Sequence, residues 1–204
     1  MSNINTQLSF NKNSEMSGKK CFASHLPDSQ LPAVTSLETI LKEYRPITLA
    51  EMDSVKLLNR VDYKYVLPFY MLHNTLAALS PEYRILVVNG MPFNHYRTLY
   101  FDTPDFALFN MHVNGQAERY KVRSREYLDS HLNYLEVKHK TRKDRTIKKR
   151  LLTQQPLLYV TTEAGEWLEE VMPCENEKLE PKIWNTFTRI TLVNVERCER
   201  VTID

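Results

Sequence analysis

The sequence predicts an α+β fold that is mostly β and antiparallel, and three observations predict it. Charged residues recur two apart in Arg60-Val61-Asp62-Tyr63-Lys64, in Lys121-Val122-Arg123-Ser124-Arg125, in Glu136-Val137-Lys138-His139-Lys140 and in Thr146-Ile147-Lys148-Lys149-Arg150. In a strand such side chains share one face, because side-chain direction alternates with period two. Apolar residues hold the positions between: Leu135 and Val137 oppose Tyr134, Glu136, Lys138 and Lys140, and Ile147 and Leu151 oppose Thr146, Lys148 and Arg150. Turn-forming stretches, Asn89-Gly90-Met91-Pro92 and Asn114-Gly115, punctuate the runs. Each strand is therefore expected to be apolar on one side and cationic on the other.

The elements follow in order. Residues 1–33 are rich in Asn, Ser, Gln and Lys without sustained periodicity, which predicts a disordered leader before a single folded domain over 34–204. Leu37, Ile40, Leu41 and Tyr44 have helical spacing after Ser36, and Pro46 is expected to end that helix; Leu49 to Lys56 reads as a second short helix. Val55 to Leu67 is the first strand. Pro68 opens a helix whose Phe69, Leu72, Leu76 and Leu79 share a face up to Ser80-Pro81. Tyr83 to Val88 and His95 to Asp102 are further strands, and Thr103-Pro104-Asp105 opens a short helix through Phe106, Phe109 and Asn110. Glu118 to Tyr127 is the basic strand, Asp129 to Asn133 links it to the next, and Lys138 to Leu152 reads as a hairpin turning near Lys143-Asp144. Leu157 to Met172 contains a helix with Trp167, Leu168 and Val171 inside, and Pro181 to Val195 and Glu199 to Asp204 are the last strands. The final strand has no turn or polar tail after Asp204, so the domain is read as lacking its C-terminal strands.

At 204 residues the chain can bury a substantial core, and its formal charge of +2 is close to neutral. That balance hides an asymmetry. Twelve Lys and Arg residues crowd the segment from Arg119 to Arg150, against Glu126, Asp129, Glu136 and Asp144. A local basic field suits an anionic ligand better than nucleic acid, which usually meets a basic excess over a whole domain, so no nucleic-acid partner is expected. Cys21, Cys174 and Cys198 are odd in number and far apart, which argues against a disulfide framework or a zinc site and fits a reducing, cytoplasmic setting. No apolar run approaches the roughly 18 residues of a membrane span. The amino terminus lacks the charged-then-apolar order of a secretory signal. Association with a membrane through a partner protein stays open.

Two readings of the cationic faces remain at this point. An open sheet would leave them simply solvated. A sheet closed into a barrel would make one face a lumen, and a lumen lined by Lys and Arg persists only if water or a polyanion such as a phosphate chain fills it. No Gly-rich phosphate loop is present. His25, His73, His95, His112, His131 and His139 are scattered without a nucleophile-base pairing and read as surface or packing residues.

With these residues assembled, the chain resembles the VTC domain, the polyphosphate polymerase domain of the triphosphate tunnel metalloenzyme superfamily. The resemblance runs from about Leu49 to the end. It rests on Asn59-Arg60-Val61-Asp62-Tyr63-Lys64-Tyr65, Leu99-Tyr100-Phe101-Asp102-Thr103, Arg119 to Tyr127, Leu135-Glu136-Val137-Lys138-His139-Lys140, Arg145 to Arg150, Phe187-Thr188-Arg189 and Glu199 to Asp204. Each piece alone is weak; their order and spacing together are specific.

The resemblance implies an eight-stranded antiparallel β-barrel, a phosphate tunnel with flanking helices, that transfers the terminal phosphoryl group of ATP to inorganic polyphosphate with Mg or Mn. By position, Lys64, Arg123, Arg125, Lys138 and Arg189 match its catalytic phosphate-binding residues. Arg60, Lys121, Lys140, Lys148, Arg150 and Arg200 are further substrate-binding candidates, and His112 stands where some members have another tunnel Arg. Glu136 is the in-chain acid placed to help hold a metal, with a salt-bridge role as the alternative; the family's main acidic ligand falls past Asp204. A triphosphate hydrolase would use the same cations with more acids around the metal, and Arg60, where hydrolytic relatives tend to have Glu, argues against it. A non-catalytic polyphosphate-binding module is the other alternative.

Overall fold

The computed structural model describes residues 5–12, 37–52, 61–143, 145–172 and 178–204. Among these residues ten strands and five α-helices follow in the order β1 (Asn5–Lys12), α1 (Leu37–Leu41), β2 (Arg45–Ile47), α2 (Leu49–Met52), β3 (Val61–Pro68), α3 (Leu72–Leu79), β4 (Arg84–Leu86), β5 (Asn94–Asp102), α4 (Ala107–Val113), β6 (Arg119–Tyr127), β7 (Leu132–Lys140), β8 (Thr146–Thr153), α5 (Thr162–Val171), β9 (Glu180–Asn194) and β10 (Glu199–Ile203). A 3-10 turn, Phe69–Met71, precedes α3. The main strand order is β3-β1-β10-β9-β5-β6-β7-β8, with β4 added on β9 and β2 on β4. The fold is mostly β with flanking helices, as expected from the alternating runs. The expected antiparallel pairing holds for β1 with β3 and β10, β9 with β10 and β4, and along β5-β6-β7-β8. The β2–β4 pair is parallel, so the sheet is mixed.

The chain divides into two compact units, 1–93 with 189–204, and 94–188. In the first, Ile190 and Leu192 of β9 and Val201 and Ile203 of β10 pack against Ile40, Leu41 and Tyr44 from α1 and its C-terminal turn, and against Leu72 and Leu76 of α3. The Tyr44 hydroxyl donates to the Leu76 carbonyl (2.5 Å), and Tyr83 donates to the buried Glu199 carboxylate (2.7 Å), so both phenols enter the core with their polar ends satisfied.

Two expectations change here. The leader expected to be disordered contains β1, paired over Lys12↔Val61 to Asn5↔Pro68 with β3 and over Leu8↔Ile203 to Lys12↔Glu199 with β10; a short run of mostly polar residues becomes a strand because two long-range neighbours satisfy its backbone. Pro46, expected to end a helix, lies in β2. Among the described residues that strand is an edge paired with β4, where a missing N–H costs little.

In the second unit the apolar face predicted for β7 lies in the core, where Leu135 and Val137 are buried with Val122 of β6 under Leu108 of α4 and Ala164 and Leu168 of α5; of the pair predicted for β8, Leu151 packs against this core and Ile147 is exposed. α5 starts at Thr161, whose hydroxyl accepts from the Ala164 N–H. α4 starts differently. Its first flanking residue, Phe106, sits at φ 61° and supplies no side-chain cap; Asp102, at the end of β5, does so instead. Its carboxylate accepts from the N–H groups of Thr103 (2.8 Å), Leu108 (2.9 Å) and Phe109 (2.9 Å). Removing that acceptor strands buried donors, so Asp102→Ala is expected to lower stability by about 2 kcal/mol in denaturant unfolding. No helix among the described residues is long and apolar enough to cross a membrane.

Candidate functional site

Register decides which of the predicted cations meet. In the second unit Arg123 pairs with Tyr100 on one side and Glu136 on the other, and Glu136 pairs with Arg150. The next row along the strands is Lys121, Lys138 and Lys148, and the one beyond is Arg119, Lys140 and Thr146. On the other side of Arg123, Arg125 pairs with Thr98 and Tyr134. Residues directly opposite in antiparallel strands share a face, so Lys121, Arg123, Arg125, Lys138, Lys140, Lys148 and Arg150 form one surface of rows about 4.8 Å apart across the strands and about 7 Å along them.

At its centre lies Glu136, only 1% exposed. Its Oε2 accepts from Arg123 Nε (2.8 Å) and Nη2 (2.7 Å), its Oε1 pairs with Lys148 Nζ (2.5 Å), and the Tyr127 hydroxyl is 3.5 Å away. Burial alone would push the Glu136 carboxyl up in pKa, but the charges of Arg123 and Lys148 outweigh it and hold the group below its usual value of 4.5. Burial opposes the charge on Arg123 as well, yet Glu136 and Tyr100 leave its pKa raised. Arg125 and Lys148 shift the other way, first by burial and, against the pull of Glu136, by the repulsion of neighbouring guanidinium groups. The cluster carries more positive charge than its carboxylate balances. An anion laid over it would relieve that repulsion.

The sign of the Glu136 shift sets a pH dependence. Its ion pairs stabilise the fold fully above about pH 4.5, and that contribution fades as pH falls through the lowered folded value. Unfolding followed by circular dichroism at stepped pH should show a loss of stability below pH 4.5 that is shallower in Glu136→Gln.

Aromatic residues line the same surface, and the sequence reading did not count most of them. Arg125 lies 5.6 Å from the ring centres of Tyr96 and Phe187, which stack at 4.9 Å, and its Nε donates to Thr98 Oγ1 (3.2 Å). Arg150 lies 4.7 Å over Tyr134, and Tyr127 meets Tyr134 edge-on at 5.8 Å. Such contacts orient guanidinium groups while leaving their charge intact. The signal was present: Tyr127 follows Arg125 by two and Tyr134 precedes Glu136 by two.

The remaining candidates belong to the first unit or fall outside the description. Arg60 lies outside the described residues. Lys64 is exposed on β3 and, with Thr202 of β10, registers against Ser9 of β1. Arg189 is ion-paired with Asp204, its Nη2 donating to Oδ2 at 2.5 Å, and Arg200 stands opposite Val193. Lys64, Arg189 and Arg200 thus share the face of this unit turned from the Ile190, Leu192, Val201 and Ile203 core. His139 stacks on Tyr120 (4.2 Å) and pairs with Glu118 (3.2 Å) on the helix-covered side of the second unit, away from the cations. His112 is exposed on α4.

Among the described residues no three His, Cys, Asp or Glu groups converge on a metal position. Both oxygens of Glu136 face cations, the salt-bridge role that the sequence kept open for it.

A search of curated proteins found no match. Among solved structures, a crystal structure of a protein described as a candidate adenylate cyclase from Vibrio parahaemolyticus is similar at 14% sequence identity with a TM-score of 0.36; the likeness covers 60% of this chain and 62% of that one, less than two thirds of its length. The model of the VTC domain matches residues 59–204. That span takes in β3 to β10 and every cationic row described above, and the chain belongs to the VTC domain family.

Proposed function

We propose that this chain is a polyphosphate polymerase-type domain: its cationic rows bind a phosphate chain and align it for transfer of the terminal phosphoryl group of ATP. The observation that carries this reading is the register of Lys121, Arg123, Arg125, Lys138, Lys140, Lys148 and Arg150 on one surface around a single buried carboxylate. Phosphoryl transfer asks a protein mainly for alignment and charge neutralisation, which Lys and Arg supply without a protein nucleophile. The lysines act as point charges on phosphate oxygens. The guanidinium forks of Arg123, Arg125 and Arg150 hold them in fixed orientation. Lys64, Arg189 and Arg200 of the first unit are proposed to bind phosphate, as the family resemblance implies. Mg or Mn is proposed to arrive on the phosphate oxygens of the nucleotide, since hard divalent ions take most of their ligands from phosphate and water.

The test is incubation of the chain with ATP labelled at the terminal phosphate and a short polyphosphate acceptor, with Mn, resolved by gel. Lengthened labelled chains support the polymerase. Release of labelled phosphate alone replaces it with a hydrolase, and polyphosphate binding without either product replaces it with a binding module. Partners other than ATP and polyphosphate, including a membrane-associated protein, and a cytoplasmic location are proposals of the same reading.

A further inference from the structure

A cavity of about 440 Å³ opens in the second unit where α4, the end of β5 and the starts of β6 and β9 come together. Its volume is within the range of about 300–1,000 Å³ seen for small-molecule sites. Phe106, Phe109, Leu108, Val122 and Ile183 give it an apolar lining, and Phe106, Phe109 and Ile183 are each about half exposed. Exposed aromatic residues gathered at a concave mouth are the usual mark of a ligand surface. Phe106 is held at a positive φ, uncommon for an aromatic residue, and its ring lies 4.2 Å from Lys182 Nζ.

The charge of the lining sets the ligand class. Lys121 is cationic, Lys182 is ion-paired with Glu180 and donates to the Pro104 carbonyl, and the carboxylate of Asp102 is taken up by three backbone N–H groups of the α4 entry. Two lining residues, Tyr100 and Lys121, also stand in the cationic rows, opposite Arg123 and Lys138. A ligand that suits both features carries a planar ring and a run of negative charge.

Building on the phosphate-binding reading above, we propose that this cavity seats the base of a nucleoside polyphosphate, with the phosphates passing onto the rows at Lys121. The base stacks on Phe106 and Phe109, and the seat distinguishes a nucleotide from inorganic triphosphate. Loss of an aromatic partner for a base typically reduces affinity by about tenfold.

The test is calorimetric titration of the full chain with ATP and, separately, with inorganic tripolyphosphate, for the wild type, Phe109→Ala and Lys138→Ala. Phe109→Ala should lose about tenfold in ATP affinity and none for tripolyphosphate, while Lys138→Ala weakens both. Phe109 is exposed, so the variant should fold; Ile183→Ser gives the same comparison if it does not. Equal binding of both ligands by the wild type with Phe109→Ala indifferent, or an equal loss of both in Phe109→Ala, overturns the base seat and leaves the phosphate-binding face standing. Failure of the wild type to bind either ligand overturns the phosphate reading and the base seat with it.

Discussion

Glu136→Gln should lower the thermal midpoint by about 5–10 °C, the equivalent of about 2–3 kcal/mol for a chain of this size. The carboxylate is 1% exposed and takes its ion pairs from Arg123 and Lys148 at 2.5–2.8 Å. An amide in its place leaves those two cations, and Arg125 beside them, without a counter-charge in a partly desolvated cluster. The figure is set at the lower end of the cost of breaking a buried pair because Lys148 keeps 43% of its side chain in water. Tripolyphosphate should restore the variant by more than it stabilises the wild type, since the anion substitutes for the lost carboxylate. Thermal unfolding with and without tripolyphosphate checks both statements. A midpoint unchanged by the substitution would mean that the cluster is balanced by solvent, and equal anion stabilisation of both proteins would mean that phosphate does not sit on these residues.

Lys138→Ala should cost about tenfold in tripolyphosphate affinity while moving the thermal midpoint little. Lys138 is exposed in the row between Lys121 and Lys148, so its removal opens no cavity and relieves like-charge crowding. A charge-assisted contact to phosphate is worth about 1.5 kcal/mol or more. The loss should shrink as salt rises, because exposed charges are screened. Calorimetric titration at two ionic strengths decides it. Unchanged affinity would remove the lysine row from the site. Arg123→Ala is a less clean probe of the same surface, because it also strips Glu136 of its main partner.

Much of this surface was legible before any fold was known. Lys121, Arg123, Arg125, Lys138, Lys140, Lys148 and Arg150 were selected by period-two spacing, and they share one face because alternation is a local property of any strand. The hairpin between β7 and β8 was legible for a similar reason: its turn lies within a few residues, and Thr141 N–H does donate to the Arg145 carbonyl at 2.8 Å. The cap of α4 was half legible. Thr103-Pro104-Asp105 marked the helix start, and Thr103 Oγ1 does accept from the Ala107 N–H (2.8 Å), but the acceptor of the Leu108 and Phe109 N–H groups is Asp102, which reads in sequence as the end of a strand. β1 and β2 escaped notice because one is a short polar run and the other holds a proline, and both exist through pairing with residues far along the chain.

The sequence by itself determined the alternation of apolar and cationic positions, the separation of basic from acidic charge along the chain, and the resemblance that the family match over 59–204 bears out. Tertiary structure decided the rest. Cross-strand register put Glu136 between Arg123 and Arg150, and its burial there makes it the counter-ion of a cation cluster. The pairing of β5 with β6 brought Tyr100 and Thr98 to the arginines, and β9 brought Lys182 and Ile183 to the cavity beside α4. The reason is physical: periodicity is set by each residue's own backbone, whereas register and desolvation depend on which distant segment lies alongside.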